Sequence, residues 1–293
     1  MPLTQAEIET SYRLALERMP SANEIASIGS QHSTLNALRQ ILLNSEEFQR
    51  KFTRLRTDFE NRQVPILVHV DIPEATAPAI LSALDASESL QPGRSVDAED
   101  FAEICARPRP ERLQIRSISG DIPVDAGRDL NLPWRRLLSL RNPGERIFAI
   151  YRDACAAEGR KDLTFGTYLE YSVQSERHRV ELDNGQLRRL AGRADPASLG
   201  QEAALLRPAL HAAMDPITIL GLYEQPAALI SALAADGFIE GAGSAPKHDT
   251  KDDGFGVALK GLTPDQRQIF EAYVAWDTYL YDVIAALVAP ATV

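Results

Sequence analysis

The chain of 293 residues is long enough to bury a sizeable core, as one large domain or as a large and a small one. Its 31 basic and 41 acidic residues give a net charge of −10, which argues against sequence-independent nucleic-acid binding and against docking on an anionic membrane. No apolar run reaches the length of a membrane span, and the two cysteines and five histidines show no metal-ligand spacing.

The first residues lack a basic segment followed by an apolar core, so the expected location is cytoplasmic, with Cys105 and Cys155 reduced. Residues 1–60 read as a small helical domain. Thr4 followed by Glu7 is a capping-box pattern, ahead of Ile8, Tyr12 and Leu16 at helical spacing. Pro20 and Ser21 end that run, and Asn23 to Ile28 predicts a short second helix. Thr34 caps a third helix carrying Leu35, Leu38, Ile41 and Leu42, and Ser45-Glu46-Glu47 starts a last one through Phe48 and Phe52.

Arg54 to Gln63 is a polar connector, and residues 64–293 read as an α/β domain. The run Val64 to Val70 is a buried strand, followed by a short loop and a helix with Ile80, Leu81 and Leu84 on one face. That layout lets loop N–H groups hold a phosphate, yet Glu74 and Pro78 are poor residues for the purpose. Ala86 to Asp97 reads as loop. Asp97 or Asp100 then caps a helix over Phe101 to Ala106, which Pro108 and Pro110 end. Leu113 to Ser119 is a second strand, Gly120 to Pro133 a loop, and Arg135 to Leu140 a third strand. Asn142-Pro143 opens a helix through Tyr151.

Phe165 to Val173 and Asn184 to Leu190 read as short helices, and Leu199 to Met214 as a longer one. Ile217 to Leu220 is a fourth strand, with Pro226 to Ala235 a helix after it. Gly241 to Lys260 has few apolar residues and is expected to be a long loop, either covering a site or mobile. Thr263-Pro264 starts a closing helix with a broad apolar stripe from Ile269 to Ile284. Strands alternating with helices predict a mainly parallel sheet flanked by helices.

Two resemblances follow from these segments. Tyr12…Leu16-Glu17-Arg18-Met19-Pro20 and Leu42-Leu43-Asn44-Ser45-Glu46-Glu47-Phe48 resemble a small helical domain of unassigned function, found in bacterial proteins linked to surface layers and glycans. Over roughly residues 64–288, the chain resembles the sulfotransferases that use 3′-phosphoadenosine 5′-phosphosulfate (PAPS), those of the carbohydrate, heparan-sulfate type. The carrying segments are Asp71-Ile72-Pro73-Glu74-Ala75-Thr76-Ala77-Pro78-Ala79, Leu140-Arg141-Asn142-Pro143-Gly144-Glu145-Arg146 continuing to Tyr151, and Asp183-Asn184-Gly185-Gln186-Leu187-Arg188-Arg189-Leu190. Gly221-Leu222-Tyr223-Glu224 and Trp276 to Tyr281 add support.

The resemblance implies a P-loop-like fold and a nucleotide cradle at Glu74, Thr76, Arg141, Ala149 and Arg188, with Asp121 at the position of a base. Several of those positions depart from the family pattern. Glu74 replaces a lysine, Ala75, Ala79 and Ala149 replace hydroxyl residues, Ala77-Pro78 replace a Gly-Thr pair, and Asp121 replaces a histidine. Two like charges at about 4 Å repel by roughly 4 kcal/mol at an effective dielectric of about 20, so the lysine-to-glutamate exchange alone weighs heavily against phosphosulfate binding.

Three readings stay open on the sequence. One is a non-catalytic binding or assembly module, with a glycan or protein partner and no cofactor. The alternative is an active PAPS-dependent carbohydrate sulfotransferase, with product 3′-phosphoadenosine 5′-phosphate (PAP). There Arg141, Arg188 and Arg146 hold phosphate, Asp121 is the base, and Lys161 or Lys247 stands in for the lysine. In the third, Asp71, Glu74 and Asp121 form an acidic crevice suited to a cation or an amine. His69 reads more simply as a core histidine, Trp134 and Trp276 as packing residues, and Arg141 and Arg146 equally as structural ion-pair partners.

Overall fold

Residues 3–16, 18–31, 34–51, 65–90, 93–160, 162–240 and 254–288 are described by the computed structural model, in which the chain divides into two units, Met1–Val64 and Pro65–Val293. The connector over 54–63 and Phe52 lie outside the described residues, as do Lys161, Lys247 and residues 241–253.

In the first unit, α1 (Gln5–Leu16), α2 (Ala22–Gln31) and α3 (Leu35–Asn44) are followed by helical residues 46–51. The capping box closes in both directions: Thr4 N donates to Glu7 Oε2 at 2.8 Å, and Glu7 N to Thr4 Oγ1 at 3.3 Å. Thr34 caps α3 through Ala37 N, and Ser45 Oγ accepts from Phe48 N. Ile8, Tyr12, Leu16, Ile28, Leu38 and Leu42 form the core. The two quoted stretches meet through Arg18, which forks onto Glu24 and Glu47 at 2.8 Å each and stacks over the Tyr12 ring.

The second unit is an α/β structure. Five strands, β1 (Ile66–Val70), β2 (Gly93–Val96), β3 (Ser117–Gly120), β4 (Trp134–Leu140) and β5 (Thr218–Leu222), pair in the order β2-β3-β1-β4-β5, with all four pairings parallel. Helices α4 (Pro78–Ala86), α5 (Ala98–Ala106), α6 (Arg109–Arg112), α7 (Pro143–Glu158), α8 (Phe165–Gln174) and α9 (Glu176–Leu182) come next in chain order. They are joined by α10 (Gly185–Leu190), α11 (Glu202–Met214), α12 (Pro226–Ala235), α13 (Phe255–Lys260) and α14 (Pro264–Val288).

β1 is central and buried at every position, so its sequence is a continuous apolar run interrupted only by His69. One face of the sheet buries Val68, Ile118, Leu138, Leu280 and Ile284, and the other Leu67, Leu137, Ile219, Ile80 and Leu229. A third cluster packs α7, α8 and α14 through Phe148, Phe165, Leu169 and Tyr273.

Several sequence expectations are corrected. β2 falls inside the expected loop 86–97, because Gly93-Arg94-Ser95-Val96 is short and unpatterned and gains its strand from pairing with β3. The second predicted strand starts four residues late: Leu113 to Arg116 turns out of α6, with Leu113 N bonded to Arg109 O at 3.0 Å. α9 was not expected from the sequence. Of the long loop expected over 241–260, the described end is instead α13, whose Phe255 packs against Phe148 and Phe270.

Candidate functional site

The carboxyl ends of parallel strands leave a crevice that loops can line, and here the loop after central β1 faces the start of α7. Tight turning shapes that loop. Ala75 N bonds Ile72 O at 2.9 Å, and Glu74 adopts φ 60, a left-handed conformation uncommon outside glycine. Ser139 Oγ on β4 donates to Ala75 O at 2.7 Å, while Ala75 and Ala77 are buried, so the loop is packed down against the sheet. α4 starts from Ala77, which offers no side-chain cap, and from Pro78, which has no N–H.

Arg141 lies opposite. Gln186 fixes its backbone from both sides, accepting from Arg141 N and donating to Arg141 O at 2.9 Å each. Its guanidinium lies 4.0 Å over the Tyr223 ring, and the side chain as a whole is 8% exposed. Nη1 donates to Glu74 O at 3.3 Å and lies 3.8 Å from Glu74 Oε2, whereas the buried Nε has no hydrogen-bond partner among the described residues. Burial, then the hydrogen bond and the charge of Asp153, push the Glu74 carboxyl up to about 7, against the opposing pull of Arg141 and Arg152. The place where an anion would meet Arg141 is therefore taken by the protein's own glutamate.

Thr76 is also engaged. His69 bridges Ser119 Oγ (2.7 Å, from Nδ1) and Thr76 Oγ1 (3.1 Å, from Nε2), tying β1 to β3 and to the loop. Burial pushes its imidazole down towards the neutral form, with Asp71 opposing. It is a satisfied core histidine. Ala149, buried one turn and a half into α7, presents only a methyl group.

Arg188 lies away from the loop. Fully buried, it donates from Nε to Asp183 O at 2.8 Å, from Nη1 to Ser198 Oγ at 2.8 Å and from Nη2 to Glu202 Oε1. Those contacts consume its fork and hold α10 to α11. Arg146 is likewise internal: Nη2 donates to Glu181 O at 2.8 Å and lies 3.8 Å from the buried Asp277. Asp277 in turn accepts from Gln186 N and Leu187 N, so a carboxylate neutralises the start of α10.

Asn184, at φ 52, reaches into α14. Its backbone N and Nδ2 donate to Tyr273 O and Ala272 O, and its Oδ1 accepts from Trp276 N and Asp277 N. These four groups are the ones that two adjacent i→i−4 bonds of the helix, Trp276 N to Ala272 O and Asp277 N to Tyr273 O, would join, so Asn184 is wedged into the helix.

Asp121 follows Gly120 at the end of β3 and is 67% exposed, with both carboxylate oxygens accepting from Arg189. Asp71, Glu74 and Asp121 thus do not build an acidic crevice, because Arg141 answers Glu74 and Arg189 answers Asp121 and lies in the field of Asp71. No cluster of His, Cys, Asp and Glu suited to a metal ion occurs among the described residues.

The segments around residues 74, 141, 186, 223 and 281 do converge. Glu224 accepts from Asn142 N and from Tyr281 Oη, both at 2.8 Å, which closes the ring of contacts around Arg141. Asp153 is the residue that sequence reasoning missed. It lies on an exposed helix face where a carboxylate carries no signal. The groups present do not suit a phosphosulfate. The loop lacks the lysine and the N–H of residue 78, α7 lacks the hydroxyl at 149, and Arg188 is spent elsewhere. No family model, curated protein or solved structure matches this chain.

Proposed function

We propose that residues 65–288 form a sulfotransferase-like fold whose nucleotide site has closed on itself, working as a non-catalytic binding or assembly module alongside the helical unit, in glycan or surface-polysaccharide biology. The glycan link rests on resemblance alone. What supports the loss of nucleotide binding is one contact: Arg141, the cation kept from the family pattern, is engaged by Glu74 from the loop that ought to receive an anion.

With Glu74 ionised the pair gains about 4 kcal/mol of Coulomb attraction at an effective dielectric of about 20, cut to roughly 1 kcal/mol because Glu74 is over a third exposed; below about pH 7, where the carboxyl holds its proton, only the hydrogen bond to Glu74 O remains. Even the smaller figure sets an incoming phosphate against an internal competitor. It must also do without the donors that give such sites ~2.7–4 kcal/mol each in catalysis. The clamp of Arg189 on Asp121 further engages both carboxylate oxygens that a general base would have to present to an acceptor hydroxyl.

Thermal melting with PAPS or PAP at millimolar concentration tests the reading. The expected result is no rise in Tm that depends on Arg141. A dose-dependent rise present in the wild type and lost in Arg141→Gln overturns it, as does labelled-sulfate transfer to any glycan acceptor.

A further inference from the structure

Beside the amino-terminal ends of β4 and β5, away from the loop that follows β1, lies a cavity of about 360 Å³. Its lining carries three arginines (Arg128, Arg136 and Arg207) and His211, against two carboxylates, Asp125 and Asp215. Arg136 is buried and fixed, with Nε donating to Val124 O at 2.6 Å and Nη1 to Ala212 O at 2.9 Å and Thr218 Oγ1 at 3.0 Å. Its guanidinium is a permanent charge that cannot swing away.

The other three behave differently. Arg128, Arg207 and His211 have no side-chain hydrogen bond or ion pair among the described residues. Elsewhere in this unit, Arg135, Arg179, Arg189 and Arg193 each meet an aspartate. With acidic residues in excess by ten, unanswered arginines that converge on one cavity stand out. Arg207 and His211 are four residues apart on α11 and so share a face. Of the carboxylates, Asp215 already accepts from Ile217 N at 3.1 Å.

We propose that this cavity binds a small organic phosphate monoester. Arg128 and Arg207 grip the phosphate, His211 adds a hydrogen bond, and Arg136 supplies fixed positive potential behind them. Several guanidinium forks offer more donors than the two oxygens of a carboxylate can accept, and a phosphate monoester has three terminal oxygens. At about 30 Å³ per water the cavity has room for roughly ten waters, more than a bare phosphate fills. The remaining wall, with Leu190 and Ala212, suits a sugar-sized body. The site is independent of the reading of the β1–α4 loop. It shares none of that loop's residues, and substitutions at Arg141 and Arg207 tell the two apart.

Calorimetric titration of the full chain with glucose 6-phosphate, inorganic phosphate and glucose, at ionic strength matched with sodium chloride, tests this. The same titrations are run on Arg207→Ala and Arg128→Ala, both exposed positions whose folding is checked by circular dichroism. Saturable binding of glucose 6-phosphate is expected, none of glucose, and a loss of about tenfold in each variant. Equal affinity for inorganic phosphate overturns the assignment to an organic ester. Absence of saturable binding, or binding unchanged in both variants, overturns the site itself.

Discussion

Replacing Glu74 by glutamine isolates the proton that the loop holds. The carboxyl is pushed from its ordinary 4.5 up to about 7, first by burial and then by Asp153. A carboxyl whose folded pKa is raised contributes stability that is fully present below about pH 4.5 and is lost as pH rises through about 7. Glu74 is over a third exposed, so solvent screening reduces the swing to about 1 kcal/mol. Glutamine keeps the neutral shape and cannot ionise. Glu74→Gln should therefore match the wild type near pH 5 and exceed it by about 1 kcal/mol near pH 8. Urea unfolding of both proteins across that window measures the difference directly. A gap that is independent of pH, or a variant that loses stability relative to the wild type as pH rises, refutes the placement of the proton on Glu74.

Two further substitutions probe the arginine and asparagine positions by denaturant unfolding. Asn184→Ala leaves Trp276 N, Asp277 N and Ala272 O without their side-chain partners and forces alanine into φ 52, for a loss of about 3 kcal/mol. Asn184→Gly, which tolerates that φ, should recover about 1 kcal/mol of it. Arg188→Met strands Asp183 and Glu202 in the interior and should cost about 3–5 kcal/mol, with Glu202→Gln in the same chain restoring part. A mild stability loss in Arg188→Met would mean that the residue is not the structural tie its contacts describe.

Sequence reasoning reached the architecture where periodicity is strong. β1, β4, α12 and the starts of α7 and α14 follow from apolar runs, Asn-Pro and Thr-Pro caps, and alternation, whereas α7 runs on past the expected Tyr151 to Glu158, where Gly159 in a left-handed conformation ends it. It failed where tertiary contact decides. β2 has no pattern of its own and exists because Gly120, at φ 155, lets β3 approach Val96 so closely that a Cβ would lie 1.7 Å from Val96 O. At the candidate site, the residue types were legible, and of the expected cradle the structure brings Glu74 and Arg141 together while Arg188 lies elsewhere. Which of them pair was not legible, because Glu74 with Asp153, Asp121 with Arg189 and Arg188 with Glu202 lie between 14 and 79 positions apart.

The arginines show why such pairings decide function. Arg136, Arg146 and Arg188 are among the largest fully buried side chains, and each donates to backbone carbonyls. In sequence, Arg146 and Arg188 look no different from Arg141, and all three stand where the resemblance places phosphate ligands or their neighbours. An arginine can bind a ligand only with donors left over. Arg188 has spent its fork on Asp183, Ser198 and Glu202, and Arg146 is buried beside Asp277. Arg141 keeps an unused Nε, but beneath Tyr223 and behind Glu74. Arg128 and Arg207, which no motif singled out, retain theirs. The unspent donors of Arg128 and Arg207 thus lie at the end of the sheet remote from the loop that its sequence brings to attention.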